Sequence, residues 1–143
     1  MMQEKFDRSR AAALARQVGT DFGAALTVAL AFIGDRFGLF KLLAAGEPLT
    51  TVQISQRAGL NERYVREWAS TMAAAGYLEY QPANAAFLMT PEQAMVLARE
   101  DNTFFTAGAF QYAVACYRQI DKLRGVVRFP DSIGRGLPCR RAP

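Results

Sequence analysis

The alternation of apolar and polar positions divides the chain into a run of helices interrupted by one short hairpin. From about Ala13 or Asp21 to Arg36, Phe22, Leu26, Leu30 and Ile33, continued by Phe37, recur at three- and four-residue steps, the period of one helical face. Ala25, Val28, Ala29 and Phe32 leave little polar surface on the other side, so this helix has to be covered nearly all round. Leu39-Phe40-Lys41-Leu42-Leu43 predicts a short second helix, ended by Gly46. Thr50 and Gln53 have the spacing of a capping box and open a helix through Ala58, with Gly59 as its stop. Asn61 then caps a longer helix with Glu62 in its first turn, where a carboxylate favours the positive helix end, and Gly76 ends it. In that helix Tyr64, Trp68 and Met72 fall at i, i+4 and i+8 beside Val65 and Ala69, which predicts one apolar face.

Tyr77–Tyr80 and Ala86–Met89 read as strands joined by the Pro- and Asn-containing turn 81–85. A second capping box, Thr90 with Gln93 and Pro91 at the first helical position, opens a helix through Arg99. Thr103 to Leu123 then carries one stripe of Phe105, Ala109, Tyr112, Cys116, Ile120 and Leu123 and a second of Phe110, Ala113, Val114 and Tyr117. The expected fold is mainly α: a winged helix-turn-helix with flanking apolar dimerisation helices and a small β-hairpin wing. Its parts are a flexible N-terminus at 1–12, the winged-helix dimerisation domain at 13–124, and a linker or disordered tail at 125–143. Two helices apolar nearly all round are more than a unit of this size covers by itself, and the economical answer is a homodimer.

Composition narrows the chemistry. The 143 residues suit one small domain, and 51% apolar residues with mean hydropathy near zero place it in the globular class. The net charge of +4 sits at the end of the chain: residues 1–117 are close to neutral, and the excess of Lys and Arg lies beyond them. The high isoelectric point therefore says little about the folded body. There is no histidine, which removes Ser-His-Asp and Cys-His catalysis and His-ligated zinc. Cys116 and Cys139 match neither a metal site nor a disulfide framework, so a reduced, cytoplasmic protein is expected. The N-terminus has no signal-peptide pattern. The uncharged span Phe22–Gly34, at 13 residues, falls short of the ~20 of a membrane helix, and no membrane partner is expected.

A helix-turn-helix raises sequence-specific DNA binding, with Asn61, Glu62, Arg63 and Arg66 nearest the major groove. The charge opposes it. Arg63 and Arg66 are balanced by Glu62 and Glu67, and the wing from Gln81 to Ala86 has no Lys or Arg for phosphates. Gly134-Arg135-Gly136 is an isolated GxG without the strand-turn-helix context of a nucleotide loop. Tyr64, Trp68 and Met72 are candidate pocket residues, although core packing is the preferred reading. The aromatic group Phe105, Phe110, Tyr112 and Tyr117 is a candidate wall for an apolar substrate cavity, with core or subunit interface as the stronger alternative.

The string LNERYVREW, with Thr50-Thr51-Val52-Gln53-Ile54 before it and Gly76-Tyr77-Leu78-Glu79-Tyr80 and Leu88-Met89-Thr90-Pro91-Glu92 after it, resembles the N-terminal domain of bacterial S-adenosylmethionine-dependent methyltransferases. Members of that group are often labelled transcriptional regulators. The resemblance spans about residues 20–125 and implies a domain that dimerises and helps wall a substrate cavity. It also implies that S-adenosylmethionine is held by a glycine-rich loop in a following Rossmann-like domain. That loop is absent here, so the resemblance points to a truncated member that holds no cofactor of its own and is not catalytic alone. A small-molecule substrate shared with a separate methyltransferase domain is the partner it implies, and a DNA-binding regulator is the alternative.

Overall fold

The first helix begins where a carboxylate can cap it. Asp7 Oδ1 accepts from the amides of Ser9 at 2.9 Å and Arg10 at 3.2 Å, and α1 runs from Arg8 to Arg36. Its start lies five residues ahead of the earliest expected position, Ala13, because the Ala-rich stretch 11–15 has high intrinsic helicity and joins the cap to the apolar run. The computed structural model describes residues 6–123. The expected tail, with Gly134-Arg135-Gly136 and Cys139, lies outside the described residues, as do the first five residues of the expected flexible N-terminus.

The remaining elements are α2 (Leu39–Leu43), β1 (Leu49–Thr50), α3 (Thr51–Ala58), α4 (Glu62–Ala74), β2 (Glu79–Gln81), β3 (Ala86–Leu88), α5 (Pro91–Leu97) and α6 (Gly108–Tyr117). Both capping boxes form: Thr50 accepts from the Gln53 amide and Thr90 from the Gln93 amide, and each Gln side chain returns to its own cap's amide. Gly59 ends α3 with φ +66°, a left-handed turn that a side chain would strain, and this turn sets the angle between α3 and α4.

The strands form one antiparallel sheet in the order β1-β3-β2, with Leu49 opposite Phe87 and Tyr80 opposite Phe87 on the other edge. β1 has no forerunner in the sequence reading, since two residues are too few to show an alternation. β2 starts at Glu79 because the Tyr77 and Leu78 amides are both bonded to the Met72 carbonyl, at 2.8 and 3.3 Å, finishing the end of α4. α5 stops at Leu97, short of the expected Arg99, and the amides of Ala98 and Arg99 both turn back to the Ala94 carbonyl. α6 starts at Gly108 rather than Thr103. Asn102 explains the delay: its side-chain amide donates to the carbonyls of Met95 and Arg99, and its Oδ1 accepts from the Phe104 amide, which holds a turn in place of a first helical turn.

The core gathers Leu39, Phe40, Leu43, Ile54, Val65, Trp68, Met72 and Met89, drawn from three helices and the end of the wing. Trp68 and Met72 are buried as expected, but Tyr64 is 72% exposed. A four-residue step advances about 40° beyond one turn, so Tyr64 drifts out of the face that Trp68 and Met72 share.

α1 is the exception to burial. Its C-terminal half packs on α2, α4 and α6, yet only Ala31 and Gly34 are buried, and Leu14, Val18, Phe22 and Leu26 are exposed along the rest. Counted as a continuous helix, α1 is long and apolar enough to cross a membrane, an 18-residue window averaging a hydropathy of 1.3. The stricter count of uncharged residues misses this because the window tolerates Asp21. An apolar helix covered by protein passes the same test.

Candidate functional site

Three surfaces carry the expected site residues or a cavity beside them. On the reading face, α4 presents Glu62, Arg63 and Arg66 after the Asn61 cap. The Asn61 side chain accepts from the Arg63 amide at 3.0 Å and is thereby engaged by its own helix. Glu62 is the centre of a local network: it accepts from the Thr51 hydroxyl at 2.6 Å and from Arg66 Nε at 3.1 Å, with a second Arg66 bond closing a bidentate pair. The Thr51 hydroxyl first and Arg66 second hold the Glu62 carboxyl below the usual glutamate range. Arg57 is likewise paired with Glu47 at 3.3 Å. Arg63 makes no ion pair among the described residues. The wing tip is tied by Asn84 donating to Gln81 at 3.1 Å and brings no cation to this face. A cavity of about 380 Å³ lies between α4 and the wing, with Arg66 and Ser70 on one side and Tyr80 and Phe87 on the other.

The four aromatic residues of the expected substrate wall do not converge. Phe110 is buried, its ring centroid 6.1 Å from that of Tyr77, and Phe105 packs half-buried on the core. Tyr112 and Tyr117 point outward from α6, at 74% and 45% exposure. A cavity of about 340 Å³ between α5 and α6 includes Phe110 alone of the four, beside Tyr77, Val96 and Ala109. Gln111 donates to Asp35 at 3.1 Å and ties α6 to α1.

The third surface is a cleft of about 350 Å³ between the end of α1 and the start of α4, lined by Leu30, Ile33, Phe37, Tyr64, Glu67 and Trp68 among others. Its floor is rigid. The Trp68 indole N–H donates to the Leu30 carbonyl at 3.1 Å, and a Cβ on Gly34 would lie 2.5 Å from that ring, so only glycine lets α1 approach so closely. Sequence reasoning named Tyr64 and Trp68 as pocket candidates but missed Phe37 and Ile33 opposite them. That pairing joins segments some thirty residues apart, and the helical period of either one carries no signal of the other. Among the described residues no group of His, Cys, Asp and Glu has a metal-binding arrangement, and Cys116 is a free, exposed thiol.

Residues 24–99 match the Rv2258c-like winged HTH domain. Among solved structures, the chain is similar to the mitomycin 7-O-methyltransferase MmcR, with 20% identity and a TM-score of 0.69 over 85% of this chain and 36% of that one. It is also similar to the N,N-8-amino-8-demethyl-D-riboflavin dimethyltransferase RosA from Streptomyces davawensis, with 22% identity and a TM-score of 0.58 over 90% of this chain and 35% of that one. The chain thus spans about a third of the length of both, and the likeness is one of fold. A comparison with curated protein sequences finds no match.

Proposed function

The chain belongs to the Rv2258c-like winged HTH domain family, and from that premise we propose that it is the dimerisation and cavity-forming module of a small-molecule methyltransferase, acting in the cytoplasm. Methyl transfer itself belongs to a separate domain that binds S-adenosylmethionine. The observation that carries this reading is the uncovered apolar face of α1: Leu14, Val18, Phe22 and Leu26 are each more than half exposed, on a helix whose other end is anchored in the core. A second copy is the economical cover. The two methyltransferases of similar fold support the enzymatic context. The Glu62–Arg66 pair supports a face that is not built for DNA, because it neutralises one of the two cations α4 offers to phosphates.

Light scattering on the eluting protein tests the reading and should give twice the 15.7 kDa monomer mass. Calorimetry with S-adenosylmethionine should show no binding to this chain alone. The genome should encode an acidic-Gly-x-Gly methyl-donor loop beside this sequence, in the same or an adjoining reading frame. The regulator reading has one observation in its favour, the exposed Arg63 on α4, which makes no ion pair among the described residues. Salt-dependent binding to a specific duplex, with recognition helices about 34 Å apart across a dimer, would establish it in place of the first.

A further inference from the structure

We propose that the cavity between α4 and the wing binds a small, neutral, planar ring compound that carries a carbonyl group. At about 380 Å³ it lies at the small end of the range of ligand sites, enough for two or three fused rings. Its two walls differ in chemistry. On the wing side stand Tyr80 and Phe87, cross-strand partners whose ring centroids are 5.0 Å apart. On the helix side Arg66, Ser70 and Ala73 follow at four- and three-residue steps, one face of α4, and Ala73 leaves open the space that a larger side chain would fill.

The hydrogen-bonding groups of the helix side select the ligand. Arg66 pairs with Glu62 side-on, through Nε at 3.1 Å and Nη2 at 2.5 Å. A guanidinium has five N–H groups, so this pairing leaves three, on Nη1 and the outer side of Nη2, in an orientation that the ion pair already restrains. One turn on, the Ser70 hydroxyl makes no hydrogen bond among the described residues, whereas the neighbouring Thr71 hydroxyl donates back to the Glu67 carbonyl at 2.8 Å. The Glu62 carboxylate cancels the Arg66 charge and repels a ligand anion, while a ligand cation meets the guanidinium. A neutral carbonyl oxygen takes the spare donors and sets no charge against either partner, and flat rings attached to it pack against Tyr80 and Phe87. The cavity is complete within one chain, so this site stands apart from the dimerisation role of α1.

Coumarin is a suitable probe, being flat, neutral and equipped with a lactone carbonyl. Equilibrium dialysis of the full chain should give saturable binding at one site per chain. Naphthalene, of similar size but without the carbonyl, should bind about five-fold more weakly, and coumarin-3-carboxylate should also bind more weakly than coumarin. Arg66→Lys keeps the charge opposite Glu62 but loses the fork, and should weaken coumarin binding about five-fold. Ser70→Ala should weaken it about three-fold. Both side chains are exposed, so neither change reaches the core, and naphthalene should bind both variants as it binds the parent. Non-saturable uptake, naphthalene binding as tight as that of coumarin, or an unchanged coumarin affinity in either variant overturns the proposal. Tighter binding of the carboxylate overturns it too, by making the cavity an anion site. The mass measured by light scattering on the same samples reports the dimer independently.

Discussion

Trp68 is held by a hydrogen bond at its edge, by Phe40 with ring centroids 5.4 Å apart, and by the bare backbone of Gly34. Truncation to alanine should cost about 3–5 kcal/mol, read from the midpoint of urea unfolding. Gly34→Ala should cost about 1–3 kcal/mol, because the new methyl meets an indole that cannot retreat. The first residue was legible from its spacing with Met72. The second was not, since a glycine in an apolar helix announces no role until the ring it admits is placed. Glu62 supports a prediction with a definite sign. Its folded pKa is depressed, so its contribution is fully present above the unfolded value and is lost as pH falls through the folded one. Glu62→Gln should therefore flatten the fall in stability below the ordinary glutamate pKa and leave the pH dependence near neutrality unchanged, as followed by denaturation at stepped pH.

At the level of elements, what could be read was what is encoded within four residues. Thr50 with Gln53, Thr90 with Gln93, the Asn61 cap and the Gly59 stop all form where the sequence places them. Thr50→Ala should cost about 1 kcal/mol in thermal or urea unfolding, and the loss should be smaller for Thr50→Ser, which keeps the acceptor. The boundaries that escaped depend on bonds between segments. β1 exists only through its pairing with β3, and the late start of α6 follows from Asn102 reaching back to Met95. On a single continuous helix from Thr103 the aromatic positions 105 and 112 share one stripe and 110 and 117 a second. With Phe105 in the preceding turn and α6 rotated to bury Phe110, they face different ways.

For the whole molecule, the pattern on α1 reveals that the helix needs cover, but the periodicity of one helix does not say what supplies it; on the proposed reading it is a second copy. Replacing Phe22 and Leu26 together by Asp should shift the light-scattering mass to that of one chain while leaving the urea midpoint nearly unchanged, since both side chains are exposed in the single chain. Because α1 also has membrane-span dimensions, flotation with phosphatidylcholine–phosphatidylglycerol vesicles separates the two covers. The protein should stay at the bottom of the gradient, and co-flotation would give the helix to lipid.

Gln93 does more than complete its capping box: its amide also donates to the Gly76 carbonyl at 2.9 Å, stitching the entry of the hairpin to its exit. The segment between is a closed loop whose apex, residues 82–85, is exposed. Lengthening that apex leaves the stitch untouched, and each doubling of a flexible loop costs only about 0.6 kcal/mol. The tip of the wing is thus the natural place to graft a tag or a foreign peptide without disturbing the fold.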